Sequence, residues 1–279
     1  MSVMSFIVDV EKCSGCGLCV VACKDEHVGS AYEPWTKPQP ATGHFWMNLT
    51  SHETGKTPKV SVSHMPIMCQ HCANAPCIKV CDENAINRRD DGLVWIDQDL
   101  CTGSGLCQEA CPYDVIYMNA EIGVAQKCTG CAHRVDEGLL PRCVDICPHE
   151  ALLYGDETGD DMSAAAAANE DLLEVFHPEF NADPRILWKG LPRRIVSGTV
   201  IDRETNDVVQ DVDVAVRDLF YDQVVSTVTD AFGDFWLRHL ESDRKYQLTV
   251  SKAGYREQVR VLSTDSDRDL GEVVLVRTE

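Results

Sequence analysis

Residues 148–279 contain no cysteine, although the chain carries 15. A chain of 279 residues is long enough to bury its cores without covalent staples, so the cysteines serve chemistry. A disulfide scaffold would be small, secreted and even in its cysteine count, and this chain is neither short nor even. Cations are also scarce: 25 Lys and Arg against 45 Asp and Glu leave a formal charge of −20. That field repels phosphate backbones and anionic lipid heads, which sets nucleic acid aside as a partner. No apolar run reaches the roughly 18 residues of a membrane span. The opening segment Met1 to Asp9 has neither a basic n-region nor a twin-arginine pair. The expectation is a protein assembled in the cytoplasm without an anchor of its own, with export on a partner's signal left open. No nucleophile-base pair, phosphate-cradling glycine loop or zinc-protease motif occurs, so the chain offers no substrate site and no catalytic residue.

What is present is cysteine in a repeated spacing. Cys13, Cys16, Cys19 and Cys23 form a C-x2-C-x2-C-x3-C run of the bacterial-ferredoxin kind. Two residues between ligands, with Gly15 and Gly17 among them, let a loop curl around an iron-sulfur cube with backbone N–H groups turned toward sulfur. The fourth cysteine of such a run falls on the following helix and ligates the neighbouring cluster. The second group is Cys69, Cys72, Cys77 and Cys81, the third Cys101, Cys107 and Cys111, and the fourth Cys128, Cys131, Cys143 and Cys147. Every group ends in the C-x3-C step, so four variants of one unit make two double-cluster ferredoxin-like modules. In the third group Ser104 stands where the template has its second cysteine. An alkoxide is a harder ligand than a thiolate and has a much higher pKa. Three 4Fe-4S clusters plus one 3Fe-4S cluster, the latter held by three cysteines with Ser104 lining its vacant corner, are therefore favoured. A Ser-ligated 4Fe-4S cluster and an empty site are the alternatives.

Short apolar runs lead into the groups: Phe6 to Asp9 before Cys13, Leu93 to Asp97 before Cys101, and Val124 to Lys127 before Cys128. With the turns expected at 83–87 and 149–154 they predict β-α-β units over residues 1–155. An insertion at 30–60 carries Trp35 and Trp46 and reads either as a loop whose aromatics cap the cluster domain or, the favoured reading because such side chains anchor interfaces, as an arm for partner docking. His71 and His133 sit inside cysteine loops as hydrogen-bond donors to sulfur or carbonyl, since histidine ligands belong to two-iron centres. Lys127, Arg134 and Arg142 flank the fourth group, either as cations that raise a cluster potential or as plain surface charges. Residues 156–194 predict an acidic linker with an alanine-rich helix near 163–176, stopped by Pro178 and Pro184. From Ile195 the apolar period becomes two, as in Val212, Val214, Val216 and in Tyr246, Leu248, Val250. About seven strands then make an all-β sandwich of immunoglobulin-like or transthyretin-like type over 195–279, and the fold class is α+β.

In that tail Ser197-Gly198-Thr199-Val200, the stretch Thr229 to Phe235 and Ala253-Gly254-Tyr255 resemble carboxypeptidase regulatory-like domains, which implies a packing or binding module. The four cysteine groups, the insertion and the loop Cys69-Gln70-His71-Cys72-Ala73-Asn74-Ala75-Pro76-Cys77 resemble the iron-sulfur electron-transfer (beta) subunits of the dimethyl-sulfoxide-reductase family of molybdenum and tungsten oxidoreductases, over residues 5–155. The resemblance implies a large catalytic partner subunit carrying molybdopterin as bis-molybdopterin guanine dinucleotide (bis-MGD). It also implies an external electron donor or acceptor, and a phenolic or catechol substrate for the complex. It further implies nested ligand sets: Cys13, Cys16, Cys19 with Cys147; Cys23 with Cys128, Cys131, Cys143; Cys69, Cys72, Cys77 with Cys111; and Cys81 with Cys101 and Cys107. Spacing alone leaves sequential pairing of the groups open. A free-standing polyferredoxin, the iron-sulfur subunit of a formate dehydrogenase, nitrate reductase or other anaerobic reductase, and a zinc-binding structural protein are the competing functions.

Overall fold

The computed structural model describes residues 3–156 and 172–278. The chain divides into two units, one made of Met1–Ser51 and His64–Gly190, the other of His52–Ser63 and Leu191–Glu279.

The first unit is built on a four-stranded sheet in the order Leu152–Asp156, Met4–Asp9, Leu187–Lys189, Leu173–Val175. Met4–Asp9 runs antiparallel to Leu152–Asp156, with Phe6 opposite Tyr154, and parallel to Leu187–Lys189, with Val8 opposite Trp188. Phe6, Ile7 and Val8 are all buried, so this strand is covered on both faces, as its unbroken apolar run requires. Two small ladders carry the rest: Ile86–Arg88 pairs with Val94–Ile96, and Tyr117–Asn119 with Val124–Gln126. The helices are short. Leu18–His27 is followed by Pro76–Lys79, Leu106–Glu109, Ala132–Val135 and Arg142–Asp145, each overlapping or abutting a cysteine group. Ile86, Val94, Ile96, Ile116 and Ala125 pack directly against Cys72, Cys77 and Cys107.

The second unit is a seven-stranded sandwich. Its three-stranded sheet has the order Asp234–Leu240, Arg194–Asp202, Arg268–Leu275, and its four-stranded sheet the order Val224–Val228, Asp213–Asp218, Lys245–Ser251, Gln258–Ser263. The alternating residues Val214, Val216, Leu248 and Val250 face inward against Leu237, Leu240 and Val273, and none of them exceeds 1 % exposure.

Two expectations about the connecting segments are corrected. Residues 163–171 of the predicted helix lie outside the described residues, but Leu173–Val175 is a strand, paired antiparallel with Leu187–Lys189. The supposed linker thus supplies two strands to the first unit, because Trp188 is fully buried beside Val8 and gains more from packing than alanine propensity can offer. The insertion, in turn, is not a loop throughout. It runs into the hairpin Asn48–Lys56 and Lys59–Ile67, whose tip, His52–Ser63, belongs to the second unit.

Candidate metal centres

Asp9 and Asp97, each four residues ahead of a first cysteine, make the same turn. The Asp9 carboxylate accepts from the N–H groups of Glu11 and Lys12, and that of Asp97 from Asp99 and Leu100. The loops that follow also match. Gly15 and Gly17 have φ of 73° and 74°, Gly103 and Gly105 of 74° and 79°, and the second of each pair caps a helix. Exposure alternates identically along 13–19 and 101–107, so Ser104 occupies the place that Cys16 holds in the first loop. Its side chain lines a cavity of about 500 Å³ with Cys81, Cys101 and Cys107.

The fold gathers cysteines that are distant in sequence. One cavity of about 340 Å³ is lined by Cys13, Cys16, Cys19 and Cys147, and another of about 310 Å³ by Cys23, Cys128, Cys131 and Cys143. Cys69, Cys77 and Cys111 act electrostatically on Cys72, bringing the remaining set together. Neighbouring sets also lie within electrostatic reach of one another in a definite order. Cys19 acts on Cys23 and Cys143, Cys69 on Cys128, and Cys107 on Cys77. The four sets therefore form a single file, from the Cys13 set through the Cys23 and Cys69 sets to the Cys101 set.

Burial, reinforced by mutual repulsion of the thiolates, pushes Cys19 up to about 11, and Cys72, Cys77 and Cys131 up to about 12. Cys23 and Cys143 rise well above the usual thiol value for the same reason. Such groups form thiolates only beside strong cationic charge, which iron supplies. Among the described residues no three His, Cys, Asp or Glu side chains converge on one point, as a single ion would need. The thiols instead surround space. Backbone N–H groups are already aimed at sulfur: Gly130 donates to Cys128 Sγ at 3.3 Å, Ala125 to Cys101 Sγ and Arg142 to Cys131 Sγ at 3.4 Å. Trp46 and Thr129 border the cavity of the Cys23 set, and the indole N–H and the hydroxyl have no partner among the described residues. Buried donors are rarely left so, and a sulfide-rich group bound in that cavity would supply the acceptors they lack. The residues present fit iron-sulfur clusters.

The remaining expected residues separate. Trp46 is 1 % exposed and packs 4.7 Å from the His27 ring, so it has no surface with which to dock a partner. Its indole belongs to the wall of the Cys23 cavity. Trp35 keeps a half-buried surface, with Arg89 4.1 Å over its ring and Trp95 edge-on. His71 is buried, and its Nδ1 accepts from the Val94 N–H at 2.9 Å, which leaves the proton on Nε2. His133 meets Glu26 at 3.1 Å and stacks on Tyr32. Arg134 and Arg142 pair with Glu26 and Asp145 at the rim, whereas Lys127 is 2 % exposed. Sequence reasoning missed Arg88, whose guanidinium donates to the carbonyls of Cys72 and Ala73 and clamps the second loop. It also missed Gln70, whose Oε1 accepts from the Trp188 indole at 3.1 Å. Neither contact has a local signal, since the Gln70 partner lies 118 residues away.

A 4Fe-4S dicluster domain model matches residues 60–157, and a carboxypeptidase regulatory-like domain model matches residues 195–276. The pyrogallol hydroxytransferase small subunit of Pelobacter acidigallici is 32 % identical over 96 % of this chain and 98 % of its own length. A tetrathionate reductase subunit of Salmonella typhimurium is 32 % identical over 69 % of this chain and 74 % of its own. A polypeptide of the anaerobic dimethyl sulfoxide reductase of Escherichia coli is 36 % identical over 54 % and 72 % respectively. Four cysteine loops folded around spaced thiols, a regulatory-like sandwich following them in sequence and relatives matched over most of their length lead to one conclusion: this protein belongs to the iron-sulfur electron-transfer subunits of the molybdopterin oxidoreductases, which work with a separate catalytic subunit.

Proposed function

We propose that the protein holds three 4Fe-4S clusters and one 3Fe-4S cluster in single file, with the nested ligand sets expected from the family. When bound, such clusters exchange single electrons without making or breaking covalent bonds to substrate. The observation that carries the proposal is the lining of the cavities, each combining the leading cysteines of one group with the final cysteine of another. Sequential pairing would need Cys23 beside the second group, whereas its charged neighbours are Cys128 and Cys131. A tetrahedral zinc site would draw four ligands to about 2.3 Å from one centre, and the spaced thiols argue against it. At the last set the retained loop and the open cavity favour an occupied three-iron site over an empty one.

The protein's own part is to keep the thiols apart at the corners of each site, to supply N–H donors to sulfur, and to exclude water with Phe6, Trp46 and Met47. The catalytic partner in this proposal carries bis-MGD, and Trp35 contributes to the surface that meets it. Likeness to the pyrogallol hydroxytransferase small subunit over 96 % of the chain supports a phenolic or catechol substrate for the complex, and the reducing conditions that cluster insertion requires favour assembly in the cytoplasm. No helix among the described residues is long and apolar enough to cross a membrane. Iron and acid-labile sulfide analysis of anaerobically prepared protein tests the cluster assignment: about 15 iron atoms per chain are expected, about 12 would mean an empty Ser104 site, and about 16 a fourth cube. Molybdenum in a co-purifying large subunit tests the partner, and a colourless preparation would overturn the whole assignment.

A further inference from the structure

Lys127 is among the largest fully buried side chains of the protein. Its ammonium donates to the carbonyl of Val94 and, at 2.9 Å, to that of Cys128, which accounts for two of its three donors. No carboxylate pairs with it among the described residues. An ammonium buried without a carboxylate needs another source of negative charge, because carbonyl dipoles alone do not replace lost hydration. The groups within electrostatic reach of Lys127 are thiols from two different sets, Cys77 and Cys111 on one side and Cys128 on the other. These are the two central sets of the file, and Cys69 acts electrostatically on Cys128 across the same junction.

The position is held firmly. The backbone of Val94 serves both neighbours, its carbonyl taking the Lys127 ammonium and its N–H donating to His71 Nδ1. Because Nδ1 accepts that bond, the ring carries a single proton and His71 adds no second cation at the junction. By contrast Arg134 and Arg142 reach Glu26 and Asp145, and their charges are balanced at the rim.

We propose that Lys127 is a potential-setting residue, a fixed buried cation that raises the reduction potentials on both sides of the junction between the two modules. The inference rests on the cluster assignment above. An electron arriving at either side adds one negative charge near the ammonium, and Coulomb attraction in a site without water stabilises that reduced state. Because the same charge serves both sides, it raises the two potentials together and keeps the electron from being trapped on one of them.

The test is an EPR-monitored redox titration of the anaerobically purified holoprotein, comparing wild type with Lys127→Met, Lys127→Gln, Lys127→Arg and Lys79→Gln. The glutamine variant keeps amide donors for the two carbonyls while removing the charge, so it reads the electrostatic effect even where the methionine variant fails to assemble. The proposal expects the ratio of reduced to oxidised centres at a fixed potential to fall at least tenfold at two centres in Lys127→Gln, which is about 59 mV for one electron. Lys127→Arg restores wild-type values. Lys79 is exposed near the same group, and its loss shifts them much less because water screens it. Unchanged potentials in a Lys127→Gln protein that retains its iron and sulfide would overturn the proposal and leave the cluster assignment standing. Wild-type protein without iron-sulfide absorption would instead overturn the assignment itself.

Discussion

The smallest informative difference in this protein is one atom, the oxygen of Ser104 where the repeated loop has sulfur. Its surroundings are unaltered: the preceding Asp97 turn, the two left-handed glycines and the helix start all repeat those before Cys19. A thiol returned to that place therefore meets a site already shaped for it. Ser104→Cys is expected to bring iron from about 15 to about 16 atoms per chain and to remove the EPR signal of an oxidised three-iron centre. Iron content and EPR check both, and an unchanged three-iron signal would show that the corner is closed for another reason. Trp46 teaches the opposite lesson at the same scale. An aromatic in an insertion resembles an interface anchor, but here the indole closes a cavity, and only its 1 % exposure distinguishes the two roles.

The element that repeats is the turn-loop-helix unit, and its two glycines are not equivalent. A Cβ on Gly103 would lie 2.3 Å from the backbone oxygen of Gly123, while a Cβ on Gly105 would meet nothing within 4 Å. Both have positive φ, so each alanine costs about 1–2 kcal/mol in backbone strain. Only Gly103→Ala must also move a neighbouring backbone. Gly105→Ala is expected to lower stability by about that strain with iron retained, and Gly103→Ala to lose the iron of the Cys101 set as well. Urea midpoints and iron content per chain distinguish the two, and equal iron loss in both would contradict the geometric argument. The repeat was legible in the sequence because ligand spacing and glycine placement are local requirements. The strand Leu187–Lys189 was not, since three apolar residues, Ile186 to Trp188, between Arg185 and Lys189 show their role only when Trp188 is seen buried beside Val8 and hydrogen-bonded to Gln70.

Across the whole molecule, connectivity and packing part company. The hairpin tip is threaded between the first two cysteine groups, yet Lys59 is buried with the sandwich strands, its ammonium on the Gly198 carbonyl, the Thr199 hydroxyl and the Asp234 carboxylate. Partners in that ion pair are 175 residues apart, so no local pattern announces it. Lys59→Met leaves a carboxylate that is 31 % exposed, and the expected loss is about 1–3 kcal/mol, below the ~3–5 of a fully buried pair. Burial works against ionisation of Asp234, but the Lys59 and Thr199 hydrogen bonds prevail and hold its carboxyl below the ordinary 3.8. Its contribution is thus present above pH 3.8 and lost as pH falls through the lowered value. The stability gap between wild type and Asp234→Asn is expected to close under acid in urea titrations at stepped pH, and a gap that widens would reverse the sign.

The sequence by itself determined the class of chemistry, the four loops and the alternation that makes the sandwich, because each depends on residues within one turn or one strand of each other. Tertiary structure alone decided that Cys147 comes to Cys13 and Cys143 to Cys23, that a supposed linker is sheet, that the arm's tryptophan faces inward, and that Lys127 is an interior charge while its arginine neighbours stay at the rim. Those outcomes turn on which distant surfaces exclude water together, and neither spacing nor composition encodes that.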